Sequence, residues 1–191
     1  KGRDVAFSRT TMANWTIRCA EDWLTPVWEA MRKELLQREV LHADETTVQV
    51  LKEKGKAPTT KSYMWLYCTG NDGLPPIVLY DYKTSRSGDN AKAFLEGFHG
   101  YLHTDGYAGY NKLPHVTRCG CWAHLRRKFV EAMPQESSRP FPAQIGRDYC
   151  DQLFAAEKEI QSLPPEQRQE QRLAVEQPML RAFWCWLDEL S

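Results

Sequence analysis

Three early stretches of the chain alternate apolar or β-branched positions with polar ones. Side chains alternate between the two faces of a strand, so the pattern predicts β-strands over residues 40–50, 62–69 and 77–82. Short turns rich in Gly, Pro and Asn separate these strands, which favours an antiparallel meander. Further along, the pattern predicts a helix that is capped by Asp89 or Asn90 and closed by Gly100. It then predicts a strand at 101–104, a helical turn at 108–111, a strand at 116–120 and a helix over 122–133.

This succession of elements is the order of a ribonuclease H-like fold. The predicted fold class is therefore α/β (α+β), with a core built on a mixed five-stranded sheet. In that layout the first and fourth strands are neighbours in the sheet, although 61 positions separate Asp44 from Asp105.

Helical patterns flank the predicted core on both sides. Ser8 can cap a first helix, and Thr25-Pro26 can restart a second one before the sheet begins. After Pro134 the chain predicts amphipathic helices over 147–162 and 165–190, the second interrupted at Pro178. We expect Trp184 and Trp186 to be packing residues. The predicted division is N-terminal helices or a linker (1–38), a ribonuclease H-like core (39–133) and a helical insertion (134–191).

The net charge is zero, because 25 basic residues balance 25 acidic ones. This argues against electrostatic binding of nucleic acid by the chain as a whole. The charges are unevenly distributed. Residues 106–130 contain five basic side chains and no acidic one, whereas residues 148–191 contain nine acidic and four basic ones. The charge distribution therefore indicates a local basic patch followed by an acidic helical tail. Only the basic patch can face phosphates.

The six cysteines form no regular framework, which fits reduced thiols in a cytosolic protein. Neither a signal-peptide pattern nor an apolar run of about 18 residues is present, so we expect a soluble intracellular protein with no membrane partner. The first residue is not Met and the last follows a helical pattern directly, so we expect a piece of a longer protein.

Two aspartates carry the candidate chemistry. Asp is unfavourable in strands, so Asp44 at the centre of the first strand indicates metal coordination or general-base work, unless it lies at an exposed strand edge. Asp105 ends the fourth strand, where Asp-Gly is also an ordinary turn signal. Two aspartates side by side can hold two divalent ions about 4 Å apart, as phosphodiester chemistry requires. The expected ions are Mg²⁺ or Mn²⁺.

The predicted helix after residue 121 separates two kinds of side chain. Trp122, Leu125, Phe129 and Ala132 share one side, and His124, Arg127, Lys128 and Glu131 share the other. The basic side can hold a DNA backbone, or it can be a solvated face with an Arg127–Glu131 ion pair. A further alternative is a zinc site formed by Cys119, Cys121, His124 and His115, although its spacing is unusual.

Three blocks of sequence carry a family resemblance: HADET (42–46), TDGYAGY (104–110) and GCWAHLRRKF (120–129). In this order they resemble the bacterial DDE transposases of the insertion sequence 66 family, over about residues 5–190. The resemblance implies that Asp44 and Asp105 are the first two catalytic carboxylates and metal ligands. It implies that Cys121 and His124 form a C-x-x-H signature that precedes a helical insertion.

The resemblance implies an enzyme that nicks DNA at transposon ends with water and joins the freed 3′ hydroxyl to target DNA. Its implied setting is the bacterial cytoplasm, associated with the nucleoid, and its implied active complex is a homo-oligomer. The expected DNA-binding residues are His124, Arg126, Arg127, Lys128 and Arg86. The family's final glutamate has no match before Ser191, so we expect the chain alone to be inactive, with Glu131 the only nearby substitute. The alternatives are a self-contained ribonuclease H-like nuclease that uses Glu131, and a non-catalytic zinc or DNA-binding module.

Overall fold

The computed structural model describes residues 6–133 and 141–190 of the 191-residue chain. The chain divides into two compact units, Lys1–Cys119 and Gly120–Ser191. The three-part division expected from the sequence stays a prediction. Its boundary at residue 134 falls on the segment 134–140, outside the described residues.

The first unit begins with helix α1 (Arg9–Cys19), whose first turn is capped by Ser8 as predicted: the Thr11 amide donates to Ser8 Oγ at 3.0 Å. A π-helical turn (Ala20–Leu24) leads directly into α2 (Thr25–Leu35). The helical backbone is therefore continuous up to Pro26, and the missing proline amide falls where the π-helical turn gives way to α2. Helix α2 packs on the sheet through Leu35, which is fully buried.

Five strands form one mixed sheet in the order β3-β2-β1-β4-β5. Their bounds are β1 Val40–Gln49, β2 Lys61–Thr69, β3 Val78–Lys83, β4 Gly100–Thr104 and β5 Val116–Gly120. β1 pairs antiparallel with β2, β2 pairs antiparallel with β3, and β1 pairs parallel with β4. The predicted α/β fold class with a mixed five-stranded sheet is confirmed, including the contact between the first and fourth strands.

Helix α3 (Gly88–Phe94) connects the meander to β4 and covers one face of the sheet. Its cap is Ser87, whose Oγ accepts from the Asp89 amide at 3.3 Å, so the predicted caps Asp89 and Asn90 are wrong and lie two and three residues too late. The helix ends at Phe94 rather than near Gly100, because Gly97 adopts φ +84° and reverses the chain. The helix and the residues after it fill the core, with Ala91, Phe94, Leu95 and Phe98 all buried as predicted.

A 3₁₀ turn (Ala108–Lys112) joins β4 to β5 and packs against α3. Gly88 and Gly109 make this contact: a Cβ on Gly88 would lie 2.3 Å from the Gly109 carbonyl oxygen. Only residues without side chains allow the two backbones to approach so closely. The loop before α3 and the loop after β4 are therefore held together at one end of the sheet.

The second unit is helical. It contains α4 Trp122–Glu131, α5 Pro142–Ile160, α6 Pro165–Gln171, a π-helical turn Arg172–Glu176 and α7 Gln177–Leu190. Phe183 is fully buried at its centre, and the rings of Trp122, Phe129, Tyr149 and Trp186 pack around it. Trp186 is a packing residue as predicted. The Trp184 ring also contacts Phe183, with centroids 5.2 Å apart, but 56% of Trp184 is exposed, so it packs only in part. No described helix has both the length and the apolar character that a bilayer crossing requires.

Candidate active site

β1 pairs parallel with β4 over three residue pairs, from Val40 with Tyr101 to His42 with His103. His42 lies opposite His103 in this register, and their rings stack with centroids 4.8 Å apart. Asp44 lies two residues beyond His42 on β1, and Asp105 directly follows Thr104, the last residue of β4. Neighbouring strands are roughly 4.8 Å apart, so continuation of this pairing beyond His42 and His103 would set Asp44 and Asp105 side by side.

Each aspartate is fixed by a hydrogen bond to nearby backbone. Asp44 Oδ1 accepts from the Glu45 amide at 2.9 Å, and Asp105 Oδ1 accepts from the Tyr107 amide at 2.8 Å. The second bond is the Asx turn that the Asp-Gly signal indicated, so Asp105 also has a local structural role. Its side chain is 24% exposed.

Glu45, the residue after Asp44, points to the opposite, buried face of β1. Its side chain is only 1% exposed, and a carboxylate in that environment must be paired. The Tyr110 hydroxyl donates to its Oε2 at 2.7 Å, and Arg86 donates to its Oε1 through Nε at 2.7 Å. Arg86 Nη2 lies 2.6 Å from the same oxygen.

Arg86 lies close to the carboxylates of both Glu45 and Asp105. Its Nη2 also lies 3.9 Å from Asp105 Oδ2, and its Cζ lies 4.1 Å from the centroid of the Tyr107 ring. The Tyr107 hydroxyl in turn donates to the Arg86 carbonyl oxygen. The structure thus brings the sequence-predicted residues Arg86 and Asp105 together beside Glu45, the residue that follows Asp44 on β1.

Arg118 on β5 holds the end of β4 in place. Its Nη2 donates to Thr104 Oγ1 at 3.1 Å and to the Asp105 carbonyl oxygen at 3.0 Å, and its Nη1 donates to Asn111. Arg118 belongs to the basic stretch that the sequence offered as a phosphate-binding patch. Its contacts are internal, and Lys112 from the same stretch pairs with Asp89 at 3.0 Å.

The pKa shifts of the groups around Glu45 reflect this buried cluster. Burial raises the pKa of Tyr110, and the hydrogen bond to Glu45 and the charge of Asp44 raise it further. Burial acts to lower the pKa of Arg86, but the hydrogen bond to Glu45 and the charges of Glu45 and Asp105 outweigh it, so the pKa is raised. Arg86 is therefore a permanent cation beside the two acids.

Five other predicted site residues lie on α4 in the second unit. Arg126 forms an ion pair with Asp151 at 2.5 Å, and His124 is half-buried. Arg127 and Lys128 are exposed, as expected for a polar helix face. Glu131 pairs with Lys128 at 2.8 Å rather than with Arg127, and the hydrogen bond and charge of Lys128 lower the pKa of Glu131.

Within residues 6–133 and 141–190, no group of three or more His, Cys, Asp or Glu side chains is arranged so that it could hold a metal ion. The zinc alternative built on Cys119, Cys121, His124 and His115 stays a prediction. The His115 ring lies 5.5 Å from the ring of His99. The pair Asp44 and Asp105 fits a hard divalent ion in donor type. Mg²⁺ takes one or two carboxylates and completes its shell with water and substrate oxygens.

Glu45, Tyr110 and Arg118 were not predicted as members of this site. Glu45 carried a usable signal, because strand alternation sets it on the same face as Ala43, which is buried at 5% exposure. A charged residue at such a position indicates a buried partner. The partners themselves are 41 and 65 residues away along the chain, and no local pattern identifies them.

Comparisons with known proteins agree on one family. The family model described as "Transposase IS66 family" matches residues 1–191. Three proteins of Sinorhizobium fredii are similar to this chain. Uncharacterized protein y4qI is 33% identical over 141 residues, covering 66% of this chain and 26% of that protein. Uncharacterized protein y4hP is 27% identical and y4jD is 28% identical, covering 98% and 100% of this chain and 37% and 39% of those proteins.

The family model defines the class of protein as transposases. The chain belongs to the IS66 transposase family. It spans between 26% and 39% of the length of the relatives named above. No solved structure matches it significantly.

Proposed function

We propose that this chain carries part of the catalytic centre of a DDE-type DNA transposase with a ribonuclease H-like core. The full protein cleaves the ends of its mobile element and joins the 3′ hydroxyl ends to target DNA. The observation that supports the proposal is the parallel pairing of β1 with β4 as far as His42 and His103, two residues before Asp44 and Asp105, with the cation of Arg86 close to Asp105.

Asp44 and Asp105 are the proposed ligands for Mg²⁺ or Mn²⁺. Such ions, when bound, activate the attacking oxygen and stabilise the leaving oxygen of a phosphodiester. The backbone amides of Glu45 and Tyr107 fix the orientation of the two carboxylates. Arg86, with 44% of its side chain exposed, contacts a phosphate of the DNA.

Residues His124, Arg126, Arg127 and Lys128 of α4 bind the DNA backbone in this proposal. The two exposed cations, Arg127 and Lys128, make sequence-independent phosphate contacts. The active complex is a homo-oligomer on transposon-end and target DNA. Substitution of either exposed cation weakens binding uniformly across sequences and lowers its salt dependence.

The proposed centre needs a third carboxylate beyond Asp44 and Asp105. No third acidic ligand joins them among the described residues, which supports a contribution from elsewhere in the full-length protein. Residues 1–191 alone are therefore expected to show little or no strand transfer. Glu131 is the alternative third ligand, and an E131Q variant of the full-length protein is expected to retain strand transfer.

The test is a strand-transfer assay with the full-length protein, a labelled element end and plasmid target. D44N and D105N are each expected to lower the rate by about 10³-fold or more, since several kcal/mol of metal-derived transition-state stabilisation is lost. D81N is the matched control, because Asp81 is a strand aspartate on β3 paired with Lys83 at 3.2 Å. Unchanged activity in D44N or D105N contradicts the proposal. Robust activity from residues 1–191, lost in E131Q, favours the self-contained alternative.

A further inference from the structure

One guanidinium lies between two carboxylates with different roles. Arg86 Nη2 is 2.6 Å from Oε1 of Glu45 but 3.9 Å from Oδ2 of Asp105. Arg86 Nε also donates to Glu45 Oε1, so two nitrogens of the cation converge on a single oxygen of Glu45. Arg86 is thus hydrogen-bonded to Glu45 and only close to Asp105.

The surroundings of Glu45 favour its ion pair with Arg86. Its side chain is 1% exposed, it extends from the central strand β1, and the Tyr110 hydroxyl occupies its other oxygen at 2.7 Å. Removing one partner from a buried ion pair lowers stability, so we expect Arg86 to stay paired with Glu45. Asp105 is the more hydrated acceptor at 24% exposure, and its Oδ1 already accepts the Tyr107 amide.

Arg86 is also confined near Asp105 by its other neighbours. The Tyr107 ring lies under the guanidinium, and the Tyr107 hydroxyl fixes the Arg86 backbone carbonyl. If Glu45 lost its charge, the guanidinium would stay in this place and a small rotation would bring it onto Asp105. Arg86 and a divalent cation would then compete for one carboxylate.

We propose that Glu45 is a positioning residue that holds Arg86 away from Asp105. Asp105 thereby stays available to a divalent cation, while Arg86 remains close enough to contact a phosphate. This inference rests on the proposed function of Asp105 as a metal ligand. It assigns to Glu45 a role that a purely structural ion pair would not have.

The experiment measures Mn²⁺ affinity of the 191-residue chain by calorimetry and by electron paramagnetic resonance. E45Q is expected to weaken Mn²⁺ binding roughly 10- to 100-fold, the usual cost of altering a group that orients a metal ligand. The double variant E45Q/R86Q removes the competing cation as well. Its Mn²⁺ affinity is expected to return to within a few-fold of the wild-type value.

E53Q is the matched control, because Glu53 sits in a similar cluster away from Asp105. It accepts from Ser62 Oγ at 2.6 Å and from the Tyr82 hydroxyl, and it pairs with Lys56 at 3.2 Å. E53Q is expected to lower thermal stability without changing Mn²⁺ affinity. Unchanged affinity in E45Q, or a double variant that stays as weak as E45Q, overturns the inference.

A D105N variant separates failure of this inference from failure of the proposed function. If the wild-type chain binds Mn²⁺ no better than D105N, the metal-ligand role of Asp105 is wrong and the inference fails with it. If wild type binds through Asp105 but E45Q binds equally well, only the role of Glu45 is wrong.

A measurement on the wild-type chain covers the case in which E45Q does not fold. The Arg86 Nε–Hε signal in a ¹H–¹⁵N spectrum, assigned by its loss in R86K, reports the hydrogen bond to Glu45. Addition of Mg²⁺ is expected to leave this signal in place and protected from exchange. Its disappearance on Mg²⁺ addition, which means that Arg86 leaves Glu45, overturns the inference.

Discussion

Replacing Tyr110 by Phe removes one hydroxyl from the buried cluster beside the candidate site. Tyr110 is fully buried, and its hydroxyl donates to Glu45 Oε2 at 2.7 Å. A hydrogen bond to a charged group contributes about 1.5–3 kcal/mol, and loss of the donor leaves a buried carboxylate oxygen under-solvated. We therefore expect Y110F to lower the free energy of unfolding by about 2 kcal/mol.

The magnitude can be checked by calorimetric unfolding of the 191-residue chain. A loss of about 2 kcal/mol corresponds to a fall in Tm of roughly 4–8 °C for a domain of 150–250 residues. The aromatic contact of ring 110 with Trp65, whose centroid is 5.9 Å away, is retained in the variant. The predicted loss therefore isolates the hydroxyl rather than the packing.

Tyr67 offers a matched control in the same core. It is also fully buried, with its ring stacked on Phe94 at 3.7 Å, but its hydroxyl has no hydrogen-bond partner among the described residues. Y67F removes an unsatisfied polar group and is expected to be neutral or stabilising by up to about 1 kcal/mol. Equal Tm values for Y110F and Y67F would refute the reasoning that the Glu45 charge depends on Tyr110.

Two further predictions concern packing and pH. G88A is expected to destabilise the chain by about 1–3 kcal/mol, because its Cβ would meet the Gly109 backbone; G106A, where a Cβ meets nothing within 4 Å, is expected to stay near wild type in urea unfolding. Equal midpoints for the two variants contradict the close approach. The hydrogen bonds from Ser62 and Tyr82 lower the pKa of Glu53, so its contribution to stability is present above the unfolded value of about 4.3 and is lost as pH falls through the lower folded value. The difference in Tm between wild type and E53Q is expected to shrink between pH 7 and 3, and a constant difference contradicts this.

The alternation of side chains along β1 was sufficient to predict much of the fold near the candidate site. It indicated a strand and set Ala43 and Asp44 on opposite faces, and in the structure the face of Ala43 is the buried one. The order of elements then predicted the contact between β1 and β4, which the sheet confirms. Those inferences succeed because a strand's two-residue period leaves a direct trace in the sequence.

Other features depend on contacts between distant residues and left no comparable trace. The close approach of Gly88 to Gly109 and the pairing of Glu45 with Arg86 are set by the way α3 and the 3₁₀ turn pack. Cap choice was also misjudged, since Ser87, Asp89 and Asn90 are all acceptable caps by residue type. Exposure of Trp184 was missed because helix α7 has apolar residues on more than one side.

Asp44 and Asp105 are proposed to bind a divalent cation at one shared site. The decisive measurement is an anomalous difference map from crystals of the chain soaked in Mn²⁺. A peak within coordination distance of both carboxylates, absent in D105N crystals, is the predicted result. A peak at other residues only, or none at a concentration that saturates binding in solution, contradicts the account.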